Sequence, residues 1–152
     1  MADSDPVTWR LALAIQSLLQ TITKANGYRT DIGLNVLVED DQSDSKLETV
    51  LPVVIDVNKS QRTAQQGVNS RQRGIDFTIE SGTVASLANA KQLAHQILAD
   101  IEKAMDRQAP VSSSSTSGIR SAKLVSSEIL KRPEGLPAIV VQCKGTCNYL
   151  PD

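Results

Sequence analysis

Both cysteines of this chain lie near its carboxyl end, four residues apart, in the segment QCKGTCNYL. They could form a disulfide, share a metal ion or pack in a core, and the backbone beneath them decides. On a strand, Cys143 and Cys147 share a face, but at a rise of about 3.3 Å per residue they lie roughly 13 Å apart, too far for a bridge or a shared metal. A helix would bring them together, yet Gly145 and the nearby β-branched residues disfavour one. The pattern favours buried, reduced thiols, typical of a reducing compartment, over a bridge or a metal site.

The other groups that could carry chemistry are isolated. His95 is the only histidine, and its surroundings, LAHQIL, hold no serine or cysteine motif, which favours a histidine at a helix surface or boundary over a general base. The acidic run at residues 39–44 lacks the glycine and the closing glutamate of a calcium-binding loop, which favours a solvated loop. Glycines occur singly, without the spacing of a phosphate-binding loop. We expect no catalytic residue, no cofactor and no metal, and we expect that the protein is not an enzyme.

The overall charge is nearly balanced. Sixteen basic residues stand against seventeen acidic ones, for a formal net charge of -1, so no general field attracts phosphates. Aromatic residues make up 3% of the chain and offer little surface for stacking on bases. Acidic residues near the amino terminus do not fit a signal peptide, and no apolar run approaches the ~18 residues of a membrane span. We expect a soluble protein, made in a cytosol, whose partners are proteins.

Two local patches of opposite charge interrupt this balance. The acidic patch is formed by Glu39, Asp40, Asp41 and Asp44. The basic patch surrounds one predicted hairpin and is formed by Lys59, Arg62, Arg71 and Arg73. Complementary patches at different places on one molecule can drive head-to-tail association into a closed ring. Cancellation of the two patches within one protomer is equally compatible with the sequence.

Two segments have the apolar spacing of amphipathic helices. The first helix is predicted over residues 6–25, because Asp5 and Pro6 form an N-cap and first-turn pair and Asn26 and Gly27 supply a left-handed stop. The second helix is predicted over residues 84–107, after a turn at residues 81–83. Its apolar stripe comprises Leu87, Ala90, Ala94, Ile97, Ile101 and Ala104.

Five further segments alternate apolar and polar residues, as half-buried strands do. They cover residues 33–39, 50–57, 73–80, 121–130 and 137–149. In the first strand, Leu34 should share the apolar face with Val36 and Val38, and in the second, Pro52 should occupy an edge or a strand start. Long polar loops are predicted near residues 40–49, 59–70 and 108–121. Loops of that length are either mobile or ordered on a partner.

The order of these elements, α-β-β-β-α-β-β, predicts a single α+β domain over residues 1–152. Its mostly antiparallel or mixed sheet should pack two helices on one face. The third strand illustrates the pattern, because Ile75, Phe77 and Ile79 alternate with polar residues and should point toward the helices.

The segments LQTITKANGYRTDIGLNV, LPVVIDV, RGIDFTIESGTV, HQILADIEKAMD and IVVQCKGTCNYL share a pattern beyond their secondary structure. Together they resemble the tail terminator proteins of long-tailed bacteriophages, also called tail completion or minor tail protein U-like proteins. The resemblance extends from the first helix to the last strand and leaves out only the serine-rich stretch. Its most specific parts are ANGYRTDIG, at the exit of the first helix, and LADIEKAMD, at the end of the second.

The resemblance implies a protomer that assembles as a hexameric ring on the head-proximal end of the tail tube in the virion. Such a ring ends polymerisation of the major tail tube protein and offers a surface to head completion or connector proteins. The genome passes through its lumen without being read, and no membrane is involved. The family has no catalytic residues to transfer to this sequence.

Within such a ring, Arg71 and Arg73 are predicted to make contacts between protomers beside Asp40 and Asp41, and Glu39 is predicted to belong to the same interface. Lys59 and Arg62 are predicted to lie in a loop that faces a different partner. Tyr28 is expected to pack at the helix exit rather than to bind a ligand.

Two other functions remain open from the sequence. A head-tail connector or neck protein of similar fold would differ from a terminator in its neighbours and not in its chemistry. A small nucleic-acid-binding module would use Arg62, Arg71 and Arg73, and its affinity for duplex DNA would fall with salt, with a log-log slope of roughly -2 to -3 if about three phosphates are neutralised. The balanced charge and the few aromatic residues disfavour that module.

Overall fold

A computed structural model of the chain describes residues 6–38, 50–62, 73–84, 88–106, 119–131 and 138–149. The helices are α1 (Val7–Leu19) and α2 (Ala90–Asp106). The strands are β1 (Val36–Leu37), β2 (Val50–Arg62), β3 (Arg73–Val84), β4 (Ile119–Lys131) and β5 (Ala138–Tyr149). The order of elements is the predicted one, α-β-β-β-α-β-β.

The described strands form one sheet of five, in the spatial order β1-β2-β3-β5-β4. β1 is parallel to β2, and every other neighbouring pair is antiparallel. The last strand of the chain therefore lies inside the sheet, between β3 and β4. The predicted α+β class with a mixed, mostly antiparallel sheet is confirmed.

One hydrophobic core lies between one face of the sheet and the two helices. The alternating residues of β3 predicted to point inward, Ile75, Phe77 and Ile79, are each no more than 2% exposed. Apolar residues of both helices belong to the same buried cluster. The sheet therefore has a helix face, covered by α1 and α2, and an opposite open face that neither helix covers.

The first helix is shorter than predicted. α1 ends at Leu19, because the chain then turns through shorter-range bonds: the Thr21 hydroxyl donates to the Leu18 carbonyl at 2.6 Å, and the Ile22 amide donates to that of Leu19. The predicted stop does exist, since Gly27 has φ of 90°, but it ends a separate 3-10 turn, Lys24–Asn26. Pro6 occupies the N-cap and not the first turn, and Asp5 lies outside the described residues.

The first predicted strand is largely replaced by a second 3-10 turn, Ile32–Leu34, so that β1 keeps only two residues. The reason is a set of turn bonds: the Gly33 amide donates to the Ile22 carbonyl at 2.9 Å, and the Leu34 amide donates to that of Asp31. The expectation that Leu34 shares a buried face with Val36 is wrong, because Leu34 is 76% exposed whereas Val36 is buried.

The predicted turn at residues 81–83 is also wrong, since these residues extend β3. β2 pairs with this end of β3 on one side and β5 pairs with it on the other, which holds it extended. A side chain at Gly82 would overlap the Ile139 carbonyl, so glycine here permits close approach of two strands rather than a turn. α2 consequently begins at Ala90, six residues later than predicted.

Two of the predicted loops are shorter than expected. β2 continues through Arg62 because its residues from Lys59 onward pair with β3, and β4 begins at Ile119. The remainder of both loops, and the loop predicted at residues 40–49, lie outside the described residues. Pro52 is the third residue of β2 and adjoins a shift in register between Leu51 and Val54, as the prediction of a strand start requires.

Candidate interaction surfaces

The hairpin of β2 and β3 carries three of the residues predicted to form an interface. Arg62 and Arg73 are register partners at the end of the hairpin, and Lys59 is the register partner of Asp76. The backbone therefore gathers these three basic positions at one end of the sheet, although Lys59 and Arg62 lie in a strand and not in the predicted loop. Arg71 and the acidic residues Glu39, Asp40, Asp41 and Asp44 lie outside the described residues, so contact between the two patches stays a prediction.

A buried carboxylate joins the second helix to the exit of the first. Asp100 of α2 is 2% exposed, and one of its oxygens accepts from the Thr30 amide at 2.8 Å and from the Thr30 hydroxyl at 2.6 Å. The Arg29 amide donates to both carboxylate oxygens at 3.1 Å. A buried carboxylate without partners would be costly, and these donors compensate for the loss of water.

Lys103, one helical turn further along α2, holds the same segment from its exposed side. Its Nζ donates to the Gly27 carbonyl at 3.2 Å and lies 5.0 Å from the centroid of the Tyr28 ring. Tyr28 is 7% exposed and belongs to the core, as expected for a residue that packs at the helix exit. We call Gly27–Thr30 together with Asp100 and Lys103 the exit clamp.

The exit clamp brings together the two most specific segments of the sequence, ANGYRTDIG and LADIEKAMD. Sequence reasoning did not identify Asp100 as their link. The available indication was its position in the apolar stripe of α2, since Ile97 and Ala104 lie on the same side of the helix and both are fully buried. An acidic residue within such a stripe requires a buried partner.

The open face of the sheet is polar over much of its area and carries both signs of charge. By register, its described residues include Asp56, Asp76, Thr78, Glu80, Lys123, Glu128, Gln142, Lys144 and Thr146. Some of these side chains bond within the sheet: the Gln142 amide donates to a carboxylate oxygen of Glu80 at 2.6 Å, and the Thr146 hydroxyl donates to the Ile75 carbonyl at 3.3 Å. The mixture of charges gives this face no strong preference for a polyanion.

The two edges of the sheet are unequal. At one edge β1 pairs with only Val53 and Val54, so residues 55–62 of β2 have no described strand on their outer side. At the other edge lies β4, which includes two exposed apolar side chains: Val125 is 67% exposed and Leu130 is 38% exposed. We call these the outer edge of β2 and the outer edge of β4.

The cysteines and the histidine occupy the places that the sequence indicated. Cys143 and Cys147 are buried free thiols on the helix face, which confirms their predicted burial. Burial raises the pKa of Cys143 to about 11, a hydrogen bond with Ser127 opposes this rise, and the nearby charge of Glu102 adds to it. The thiol therefore stays protonated and unreactive near neutral pH. His95 is exposed on α2, as predicted.

Within the described ranges, no group of three or more His, Cys, Asp or Glu side chains is placed to hold a metal ion. Neither α1 nor α2 is long and apolar enough to cross a membrane.

Comparison with known proteins gives no assignment. No protein-family model matches the chain, and no curated protein matches it significantly.

Proposed function

We propose that this protein is a tail terminator of a long-tailed bacteriophage. In this proposal it is a structural protein of the virion, made in the host cytoplasm, that forms a hexameric ring on the head-proximal end of the tail tube. It acts by binding and not by catalysis, and it requires no cofactor.

The exit clamp is the observation that carries the proposal. Asp100 and Lys103 come from LADIEKAMD, and their partners Gly27 to Thr30 come from ANGYRTDIG, about 70 positions away in the chain. Because the two segments form one bonded unit, the residues of each constrain those of the other. The two most specific parts of the resemblance therefore belong to one bonded unit of the fold and not to two unrelated stretches.

The mechanism follows from association alone. A ring seated on the last layer of the tube covers the surface to which the next tube subunit would add, and growth stops. Contacts between protomers would supply the energy by burying apolar rims, while charged pairs would set register and the choice of partner. The exposed side of the ring would then receive head completion or connector proteins.

If the open face lined the lumen of the ring, its mixed charge would let the genome pass without being retained. Its described side chains include the lysines Lys123 and Lys144 beside Asp56, Glu80 and Glu128, so attraction and repulsion of phosphates partly cancel. A conduit requires this, because tight binding of DNA would oppose ejection.

The proposal is tested by the mass of the purified protein. Light scattering across a concentration series gives the oligomeric state, and electron microscopy of tail tubes from the same virus, with and without added protein, shows whether tube ends become capped. We expect a hexamer, or a monomer that forms a ring only on tube ends, and added protein should stop tube growth.

Two results would overturn the proposal. A protein that leaves tubes unchanged but binds isolated head connectors would be a neck protein of similar fold. A monomer that ignores tubes and shifts duplex DNA, with an affinity that falls with a log-log salt slope of roughly -2 to -3, would be a nucleic-acid-binding module.

A further inference from the structure

We propose that the outer edge of β4 in one protomer pairs with the outer edge of β2 in the next, so that the sheets of neighbouring copies are continuous. This inference rests on the proposed ring and names the contact that closes it. The occupant of each edge is a second copy of this chain, and the contact is head-to-tail because the two edges are different surfaces.

The direction of the strands permits this pairing. β3 and β4 are both antiparallel to β5, and β2 is antiparallel to β3, so β4 runs opposite to β2 within one protomer. Rotation about a ring axis preserves the sense of each strand along that axis. β4 and the neighbour's β2 would therefore meet as an antiparallel pair, the same arrangement that the rest of the sheet uses.

Among the described residues, each edge has a stretch with no strand on its outer side, and the two stretches end at matching places. The outer edge of β2 begins at Ile55, because β1 occupies the position beside Val54. β4 is regular from Ala122 to Leu124, and an irregularity in its pairing with β5 then separates Leu124 from Ser126. If Leu124 lies opposite Ile55, the new ladder stops at β1 on one strand and at the irregularity on the other.

The same register matches the faces of the two strands. It sets Ala122 opposite Val57 and Leu124 opposite Ile55, and all four residues lie on the helix face by their register within the sheet. Val57 and Leu124 are half-buried in the single protomer, so pairing would cover apolar surface that each edge leaves accessible. The helix layers of the two copies would then lie on the same side of the joined sheet.

Charge selects this register. Between those apolar pairs, Lys123 lies opposite Asp56, and both are exposed side chains on the open face. Directly opposed residues of an antiparallel pair interact, and opposite charges there are favourable. If the register of the pair shifted by two residues, Lys123 would lie opposite Val54 or opposite Asn58. Val54 is already paired with β1, and Asn58 lies in the irregularity between Val57 and Lys59.

A symmetric pairing of β4 with β4 is the competing arrangement. It would place Lys123 opposite Glu128 twice, but the irregular segment around Val125 would then face its own copy at the centre of the contact. It would also leave the outer edge of β2 unpaired, and it would produce a closed dimer and not a ring. The structure therefore favours the head-to-tail pairing.

Introduced cysteines test the contact. Asp56→Cys and Lys123→Cys are made in separate full-length chains and then mixed under mild oxidation, with tail tubes present if the ring requires them. Opposed Cα atoms in an antiparallel pair are about 4.5–5.5 Å apart, within the range for a disulfide. The native cysteines are buried, so they should not contribute.

We expect a disulfide-linked dimer in the mixture and a ladder of linked copies when both substitutions are in one chain. Glu128→Cys mixed with Asp56→Cys is the matched control, because Glu128 lies on the same face of β4 but beyond the irregularity, and it should link at least ten times less.

The remaining outcomes separate this inference from the proposed function. A ring of unchanged mass in which Asp56→Cys and Lys123→Cys do not link would overturn the pairing and leave the terminator proposal intact. Linkage of Lys123→Cys to Glu128→Cys would overturn it in favour of the symmetric pairing. Absence of any ring, with or without tubes, would refute both.

Discussion

Replacement of Asp100 by asparagine tests whether the exit clamp stabilises the fold. Asparagine keeps the size of the side chain but removes its charge and replaces one acceptor oxygen with a donor. The Arg29 and Thr30 amides and the Thr30 hydroxyl all donate to the carboxylate, so at least one of these donors would face an NH₂ group.

The size of the effect follows from the partners that are lost. A hydrogen bond to a charged group contributes about 1.5–3 kcal/mol, and an unpaired buried donor costs about 1–3 kcal/mol. Burying a neutral amide costs less free energy than burying a carboxylate, and this difference offsets part of the destabilisation. We expect a net decrease of about 2–4 kcal/mol in the free energy of unfolding, or roughly 4–16 °C in Tm for a chain of this size.

Chemical denaturation monitored by circular dichroism measures this difference. Glu102→Gln is the matched control, because Glu102 is an exposed acidic residue on the same helix and its replacement should change stability by less than about 0.5 kcal/mol. Thr30→Val removes one of the donors, and a double-mutant cycle with Asp100→Asn should show a coupling of about 1 kcal/mol or more. If Asp100→Asn and Glu102→Gln destabilise equally, or if the coupling is zero, the reasoning about the clamp is refuted.

Three further predictions concern the sheet and its edges. Gly82→Ala should destabilise the fold by about 2–3 kcal/mol, because the added Cβ would overlap the backbone of β5. Gly27→Ala should destabilise it by only about 1 kcal/mol, because the space is open and the cost comes from the positive φ alone. Denaturant titration of the two variants measures both free energies of unfolding. Lys123→Glu and Asp56→Lys should each weaken ring formation about 2- to 5-fold by light scattering, and the double reversal should restore part of the loss. Because burial raises the pKa of Cys143, the folded chain holds this proton more tightly than the unfolded chain, and the stability that Cys143 contributes should be complete below about pH 9 and fall by about 2–3 kcal/mol as the pH rises to about 11.

Each of these has a clear contrary result. Equal effects of the two glycine substitutions would show that β5 can move away from Gly82. If the variant with both charges reversed forms rings as weakly as either single variant, the two side chains do not interact across the contact. An alkaline decrease of the same size in Cys143→Ala, measured by denaturation at each pH, would assign that decrease to other groups.

The sequence predicted the elements well where one local pattern was enough. Alternation in β3 identified Ile75, Phe77 and Ile79 as inward residues, and the same rule predicted the burial of both cysteines. These predictions hold because a period of two residues is a direct consequence of strand geometry and does not depend on the partner strand.

The failures lie where a distant segment overrides local preference. Ser81 to Thr83 have the composition of a turn, but pairing with both β2 and β5 keeps them extended. Leu34 has the spacing of a strand residue, but it lies in a 3-10 turn, held by the bonds of the Gly33 amide to Ile22 and of its own amide to Asp31, which directs it outward. The link between Thr30 and Asp100 spans 70 positions, and no local period encodes a contact of that kind.

The same limit applies to the candidate interface. Composition identified the basic positions Lys59, Arg62 and Arg73, and the hairpin brings their backbones together. Sequence reasoning could not suggest the proposed pairing of Asp56 with Lys123, because that proposal depends on the order of strands and on which edges the described strands leave uncovered. β5 returns to the middle of the sheet, and this alone makes β4 an edge.

The exit clamp and the outer edge of β2 are physically connected. The segment held by Asp100 leads through Ile32–Leu34 directly into β1, and β1 determines where the outer edge of β2 begins, because it pairs with Val53 and Val54 and then ends. If the clamp is released, the position of β1 is less constrained, and the point at which a neighbour's β4 must stop becomes variable. Asp100→Asn should therefore weaken ring formation under conditions in which the protomer is still fully folded, and Glu102→Gln should not.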